Sequence, residues 1–170
     1  MISPYLHWQP DIDPTAFVAA SAEVIGRVKI AAHANIWYQC VLRGDVHDIE
    51  IGARSNIQDH CVVHTSHHVS PCIIGDDVTV GHRVILHGCT VEDGCLVGMG
   101  SILMDRSKLE SGCLLAAGSL VPEGRVLRGG YMYAGAPARE KRELSDKEKA
   151  FLQASASHYV DLAKTHMPKS

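Results

Sequence analysis

An apolar side chain returns at every sixth residue along most of this chain of 170 residues. The positions form four successive runs, namely Val18, Val24, Ile30, Ile36 and Leu42, then Ile51, Ile57 and Val63, then Ile74, Val80 and Leu86, then Val91, Val97, Leu103, Leu109, Leu115 and Val121. Short repeats of this kind cannot bury their apolar side chains alone, so they stack on one another. The period therefore predicts a solenoid.

A second inward position lies four residues after most of these, and it usually holds a small side chain. These positions are Ala22, Val28, Ala34, Cys40, Ser55, Cys61, Val78, Val84, Cys95, Ser101, Ser107, Cys113 and Ser119. Glycine often follows the apolar position, at Gly52, Gly75, Gly81 and Gly98, which suits a tight corner that a side chain would obstruct. Three hexads make one coil of about 18 residues, so Cys95 should stack on Cys113. We predict an all-β solenoid, a left-handed parallel β-helix of hexapeptide repeats, over about residues 14–128.

The C-terminal segment changes from the six-residue period to a helical one. Ser145 and Glu148 stand at the spacing of a capping box, which satisfies the first backbone N–H groups of a helix. The residues that follow at roughly helical spacing are Ala150, Phe151, Ala154, His158 and Leu162. We expect a C-terminal α-helix over about residues 145–166 that lies against the solenoid, and a single domain over residues 1–170.

Charge and hydropathy narrow the class of protein. The formal net charge of -3, with histidine neutral, gives no electrostatic reason to expect nucleic acid or an anionic membrane as a partner. A small-molecule substrate fits better. The first eight residues lack the basic start and apolar run of a secretion signal, and no segment is long and apolar enough to span a bilayer. These features predict a cytoplasmic location.

None of the six cysteines forms the close sequence pair that a zinc knuckle or a redox motif requires. They are Cys40, Cys61, Cys72, Cys89, Cys95 and Cys113. The even count also permits disulfides, but the expected reducing compartment favours free thiols in the core.

Three histidines stand out where polar residues interrupt the six-residue period. The interruptions lie at residues 43–48, 65–72 and 81–89. His64, His82 and His87 sit next to an inward apolar position or one residue beyond it, so their side chains should point outward. A catalytic zinc site commonly uses three nitrogen ligands, whereas a single outward histidine is more simply a solvated one. His64 and His82 are 18 residues apart and would stack in an unbroken solenoid, but the interruption after His64 disturbs that register.

Four segments carry a resemblance to a known family. They are Arg43-Gly44-Asp45, Asn56-Ile57-Gln58-Asp59, Val62-Val63-His64 and the segment 81–89, GHRVILHGC. In this order they resemble the successive motifs of the γ-class carbonic anhydrases, and the resemblance extends from about Pro14 to Arg139. It implies a homotrimer with zinc at each subunit interface, where His64 and His87 come from one chain and His82 from its neighbour. The implied reaction is the reversible hydration of carbon dioxide to bicarbonate.

The resemblance also implies roles for residues around the histidines. Arg43 and Asp45 would form salt bridges across the subunit interface, although a purely structural ion pair fits the sequence equally well. Gln58 and Asp59 would help to orient the water at the metal. Tyr133 matches a tyrosine near the active site, or it packs within the fold.

The sequence departs from this family where a proton carrier is expected. The best-studied members use glutamates to carry the proton away, whereas here Val46 follows Asp45 and the loop after His64 contains no acidic residue. His67 and His68 are candidate proton carriers because imidazole titrates near neutral pH, or they are idle loop residues.

Two other functions stay open on the sequence. Acyltransferases share the hexapeptide-repeat fold, so acyl transfer or thioester hydrolysis on a coenzyme A substrate is the first alternative. A non-catalytic trimer for binding or assembly is the second. Histidine nitrogens also accept iron, cobalt or nickel, so the residues leave the identity of the metal open.

Overall fold

A computed structural model describes residues 1–167 of the chain. Seven coils of three short strands form a left-handed parallel β-helix, and one C-terminal helix packs on its side. The predicted fold class is therefore confirmed. The domain predicted over residues 1–170 includes three residues, 168–170, that lie outside the described part. Strands begin at Ile2 and end at Glu143, so β structure extends beyond the predicted range of 14–128 in both directions.

The strands stack into three faces. Face 1 contains β1 (Ile2–Ser3), the first halves of β4 (Glu23–Ile30) and β6 (Val41–Ile51), β8 (Val62–His64), β11 (Ile85–His87), β14 (Ile102–Leu103) and β17 (Leu120–Val121). Face 2 contains β2 (Asp11–Ile12), the second halves of β4 and β6, β9 (Cys72–Ile74), β12 (Thr90–Val91), β15 (Lys108–Leu109) and β18 (Val126–Leu127). Face 3 contains β3 (Phe17–Val18), β5 (Asn35–Ile36), β7 (Asn56–Ile57), β10 (Thr79–Val80), β13 (Leu96–Val97), β16 (Leu114–Leu115) and β19 (Tyr131–Ala134), on which β20 (Arg139–Glu143) pairs antiparallel.

The core is a column of inward side chains that runs through all seven coils. The predicted apolar positions are buried, except that Val18 in the first coil is only half-buried, and the predicted small positions are buried as well. Leu96 pairs with Leu114, which places Cys95 next to Cys113 as expected. All six cysteines are buried free thiols, and burial raises the pKa of Cys95 to about 12. The prediction of core thiols is confirmed.

Glycine is required at the corners for two different reasons. A Cβ atom at Gly98 would overlap the backbone of Ala116 and Ala117 in the next coil, and Gly52, Gly75 and Gly81 are similarly crowded by the coil above them. Close approach of successive coils therefore excludes a side chain at this place in the hexad, as the sequence predicted.

At Gly112 the reason is the backbone itself. Its φ of +69° lies in the left-handed region, and the space around it is open. A side chain would fit there, but the conformation would be strained.

The C-terminal helix α1 occupies Asp146–His166 and begins with the predicted capping box between Ser145 and Glu148. The buried face of the helix differs from the predicted one. Phe151 is 57% exposed, and the buried residues are Leu152, Ala156 and Ala163. The physical reason is the rotation of the helix about its axis: Leu152, Ala156 and Ala163 follow one another at steps of four and seven residues and so share one face, whereas Phe151 is one residue, or about 100°, away from Leu152. Of the other residues named in the predicted series, Ala150, Ala154 and His158 are exposed and Leu162 is half-buried.

The helix runs back along face 3 towards the first coil. The hydroxyl of Thr79 on β10 donates a 3.0 Å hydrogen bond to Ser155, and further along Tyr159 makes an edge contact with Trp37. Tyr38 and His166 are hydrogen-bonded at 2.9 Å near the end of the helix. Face 3 is thus the covered face of the solenoid. Within residues 1–167, no helix has both the length and the apolar character needed to cross a membrane.

The two kinds of corner glycine predict different costs of substitution. Gly98→Ala forces two coils apart and is expected to lower the free energy of unfolding by about 3 kcal/mol. Gly112→Ala meets only backbone strain and is expected to cost about 1 kcal/mol. Urea unfolding of both variants and the wild type measures the difference. Equal losses in the two variants would contradict close coil approach as the reason for Gly98.

Candidate metal centre on face 1

Two corners flank face 1, and each carries a column of outward side chains, most of them polar. The leading corner, where the chain passes from face 3 to face 1, contains Tyr38, Asp59, His82 and Met99. The trailing corner, where the chain passes from face 1 to face 2, contains Arg43, His64, His87 and Met104. All of the predicted metal ligands lie on these two columns.

His64 and His87 lie side by side on the trailing corner. They are paired in register at the ends of β8 and β11, and Nδ1 of His64 is 3.2 Å from Nε2 of His87. They are 23 residues apart rather than 18, because residues 65–71 form an additional loop between face 1 and face 2. The inserted segment therefore stacks His64 with His87 and not with His82, which is the disturbance of register that the sequence indicated.

A carboxylate holds the other nitrogen of each ring. Nε2 of His64 is 3.1 Å from Oδ1 of Asp45, and Nδ1 of His87 is 3.1 Å from Oδ1 of Asp105. A carboxylate behind a histidine fixes the tautomer of the ring and strengthens its other nitrogen as a ligand. The facing nitrogens of both rings are thereby prepared to bind one electrophile.

Asp45 is also paired with Arg43, which lies two residues earlier on β6. This ion pair lies within one chain, whereas the resemblance implied salt bridges between chains. Burial raises the pKa of Asp45, but hydrogen bonds from Arg43 and His64 outweigh it, so that the net pKa lies below its ordinary value. Asp45 is therefore ionised at neutral pH.

The surroundings of His64 keep its ring neutral. Burial lowers the pKa of His64, and the nearby positive charge of Arg43 lowers it further, against the opposing hydrogen bond to Asp45. A neutral imidazole is the form that binds metal ions, since the protonated ring has no lone pair.

Asp105 was missed by the sequence analysis. It follows His87 by 18 residues and so lies one coil above it, on the same corner. Its carboxylate also accepts hydrogen bonds from Ser66, at 2.9 Å, and from Ser70, at 3.5 Å. The coil length of 18 residues was the signal that could have found it, because that spacing selects the residue stacked above each histidine.

The inserted segment 65–71 forms a small turn over the trailing corner. Ser66 and Ser70 are bridged by antiparallel pairing, and between them His67 and His68 are exposed with ring centroids 3.9 Å apart. The two candidate proton carriers therefore reach solvent at the same edge as His64 and His87.

The leading corner carries the third histidine. Nδ1 of His82 is 2.9 Å from Oδ2 of Asp59, whose other oxygen accepts a hydrogen bond from the backbone N–H of Tyr38. Gln58 lies beside this corner but is buried, and its amide donates to Asn56. Asp59 thus supports His82 as the other carboxylates support their histidines, while Gln58 belongs to a buried amide network.

The predicted site residues are therefore divided between two edges of one face. Between His82 and His87 the chain passes through a turn at Arg83, whose φ is +60°, and only then enters β11, so His82 lies at the start of face 1 and His87 at its end. Among residues 1–167 no group of three or more histidine, cysteine or acidic side chains is placed to hold a metal ion.

Tyr133 joins neither group. It occupies the inward position of coil seven on β19 and is 2% exposed. Its hydroxyl accepts a hydrogen bond from the backbone N–H of Arg128 and donates one to the carboxylate of Glu140. Its position continues the six-residue apolar period past Val121, and the phenol ring closes the top of the core.

An uncovered apolar row crosses face 1 between the two corners. It consists of the outward side chains of Val41, Val62, Ile85, Ile102 and Leu120, which are paired in register from coil to coil. Val62 and Ile85 are 40% and 39% exposed, whereas the corresponding outward row of face 2 includes Lys29, Glu50 and Lys108. Contiguous exposed apolar surface of this kind is typical of surfaces that contact another molecule.

Comparison with known proteins places the chain among its relatives. A family model described as the hexapeptide repeat of succinyl-transferase matches residues 71–104. A hexapeptide transferase family protein from Anaplasma phagocytophilum has a structure that matches with a TM-score of 0.93 and 45% identity, covering 98% of both chains. Gamma carbonic anhydrase 1 of Arabidopsis thaliana, described as mitochondrial, is 48% identical over 162 residues, or 92% of this chain. The chain spans 59% of the length of that relative.

A bacterial relative is matched over most of both chains. The carbonic anhydrase of Geobacillus kaustophilus is 45% identical over 161 residues, which are 95% of this chain and 88% of that protein. Together with the four motifs, which lie on face 1, its two corners and the adjoining strand β7 of face 3, this similarity assigns the chain to a family. The chain belongs to the γ-class carbonic anhydrases.

Proposed function

We propose that the chain catalyses the reversible hydration of carbon dioxide to bicarbonate, at zinc sites completed between the subunits of a homotrimer. Membership of the family implies a metal cofactor. The observation that carries the proposal is the pair His64 and His87, whose facing nitrogens are 3.2 Å apart while carboxylates hold the nitrogens behind them. The names of the relatives in Geobacillus and Arabidopsis support the same reaction.

The geometry of the pair fits a tetrahedral metal ion. Two nitrogen ligands at 2.0–2.1 Å from zinc, with a tetrahedral angle between them, lie about 3.3 Å apart. The observed separation of 3.2 Å is close to this value. Iron, cobalt and nickel also accept imidazole nitrogens, and we propose zinc because a neutral, three-histidine set with an open position is its common catalytic arrangement.

The third ligand in this proposal is His82 of the partner subunit. The leading corner of one chain and the trailing corner of the next would meet if the apolar rows on face 1 were buried between subunits. Such a contact joins different surfaces of the two chains, and a closed ring of such contacts gives cyclic symmetry. Asp59 holds Nδ1 of His82 and so presents Nε2 as the nitrogen for the metal.

The residues of the chain then have distinct tasks in the reaction. Hydration adds the oxygen of water to the carbon of carbon dioxide and releases one proton. A bound zinc ion supplies the Lewis acidity that lowers the pKa of water towards neutrality. Asp45 and Asp59 fix the tautomers of the ligand histidines, and Arg43 keeps Asp45 ionised.

The released proton needs an acceptor that is open to solvent. We assign this task to His67 and His68, which are exposed on the inserted segment next to the trailing corner. Gln58 and Tyr133 are not included in the proposed site because their polar groups are already engaged within the fold.

Acyl transfer on a coenzyme A thioester is the second candidate function. The match to the hexapeptide repeat of succinyl-transferase favours it, although that match covers a repeated unit of the fold. The matched residues, 71–104, include His82 and His87 but none of the carboxylates that face the histidines. Turnover of acetyl-CoA by the purified protein tests this candidate directly.

The first prediction concerns metal and activity. Wild-type protein purified without chelators is expected to contain about one zinc per chain and to hydrate carbon dioxide in a stopped-flow assay, whereas His64→Ala and His82→Ala lose both. His158→Ala, on the exposed surface of the helix, is the matched control and keeps both. Zinc without hydration would favour the acyl-transfer or non-catalytic alternatives, and absence of metal from the wild type would exclude the proposed site.

The second prediction tests whether ligands come from two chains. When His64→Ala and His82→Ala subunits are co-expressed in equal amounts, about one quarter of the interfaces in a cyclic trimer combine an intact His64 and His87 pair with an intact His82. Zinc content and hydration should therefore recover to about one quarter of the wild-type values, although each variant alone has none. A site built within one chain would show no recovery.

The third prediction concerns the apolar row. Ile85→Asp places a charge in the proposed interface and is expected to convert the trimer into monomers of 18.4 kDa, with loss of zinc. Val126→Asp is the control, since Val126 is the outward residue of β18 on face 2 and is 47% exposed. Light scattering after gel filtration measures both masses. A trimer that survives Ile85→Asp would show that face 1 is not the contact.

A further inference from the structure

We propose that Asp105 is a positioning residue for His87 and that the inserted segment 65–71 acts as the clamp that holds Asp105 in place. This inference rests on the proposed function, because it assigns His87 as a metal ligand. It goes beyond that function by naming a residue outside the four motifs and by giving the inserted segment a structural task at the metal centre.

The first support is the direction of the hydrogen bond. An ionised carboxylate can only accept, so Oδ1 of Asp105 at 3.1 Å requires the proton of a neutral His87 ring to be on Nδ1. The lone pair of the ring then lies on Nε2, which is the nitrogen that faces His64 at 3.2 Å. Without Asp105 the proton would be free to occupy Nε2, and that tautomer cannot bind a metal at the facing position.

The second support is the set of partners around Asp105. Ser66 donates to its Oδ2 and Ser70 to its Oδ1, both from the inserted segment. The adjacent arginine, Arg106, is instead paired with Glu123 one coil further along. In the part of the chain that the structure describes, Asp105 forms no ion pair with lysine or arginine, so its partners are His87 and the two serines.

The third support is the glycine that follows His87. A Cβ atom at Gly88 would overlap both the carboxylate of Asp105 and the hydroxyl of Ser70. The side-chain carboxylate and hydroxyl thus pass directly over the backbone of Gly88 to reach the ring. The absence of a side chain at this position is what leaves room for the contact.

The experiment measures the tautomer and the metal affinity separately. In metal-free protein labelled with ¹⁵N-histidine, NMR is expected to show His87 protonated on Nδ1 in the wild type and on Nε2, at least in part, in Asp105→Ala. Zinc affinity, measured by competition with a chromophoric chelator, should fall by about 10–100-fold in Asp105→Ala. Asp105→Asn keeps an acceptor oxygen and should recover part of this loss. A purely structural role of Asp105 would not require this recovery. Glu123→Gln, on the same corner one coil further along, should change neither measurement.

A second pair of variants tests the clamp without altering Asp105. Gly88→Ala should displace the carboxylate and lower zinc affinity, while Gly112→Ala, which adds the same methyl group at another left-handed glycine with open space, should not. Ser66→Ala should also lower the affinity for zinc, by a smaller factor than Gly88→Ala does.

The outcomes separate this inference from the proposed function. Unchanged zinc affinity and an unchanged His87 tautomer in Asp105→Ala would overturn the inference even if the wild type hydrates carbon dioxide. A wild type that shows these Asp105 effects but hydrates no carbon dioxide would retain the inference and reject the proposed reaction.

Discussion

Coil-on-coil stacking is the interaction on which every other feature of this molecule depends. Most of its strands contain two or three residues, which is far too short for independent stability. Each strand is held by hydrogen bonds to the coils above and below and by inward side chains that touch their equivalents in those coils. Because register is shared from coil to coil, the position of one residue fixes the neighbours of all residues at the same place in the repeat.

The candidate metal centre follows from a local change in this register. The inserted segment 65–71 lengthens one coil, so that His87 and not His82 lies over His64. The corners can accept such an insertion because they project from the core, whereas an inward position cannot move without opening a cavity. The same insertion supplies the two serines that contact Asp105, so one departure from the repeat both brings His64 beside His87 and contacts the carboxylate behind His87.

The proposed subunit contact and the proposed metal site both lie on face 1, the face that the helix leaves uncovered. Face 3 is closed by the helix through Tyr159 and its neighbours, while face 1 presents an apolar row with histidines on both of its edges. In the proposed trimer the burial of this row supplies the free energy of association, and the approach of two corners supplies the third ligand. Within a single chain, His82 lies at the opposite edge of face 1 from His64 and His87.

The sequence by itself determined the repeat, the inward rows, the free core thiols, the start of the helix and the identity of the three outward histidines, because each is written in local spacing and residue type. Only the tertiary structure decided that Asp105 contacts His87, that Asp59 pairs with His82, and that the predicted site residues on face 1 are divided between its two edges. It also placed Tyr133 in the core and turned Phe151 to solvent. These outcomes depend on which residues stack across coils or pack between helix and sheet, and an insertion or the rotation of the helix about its axis changes those contacts without changing the local pattern.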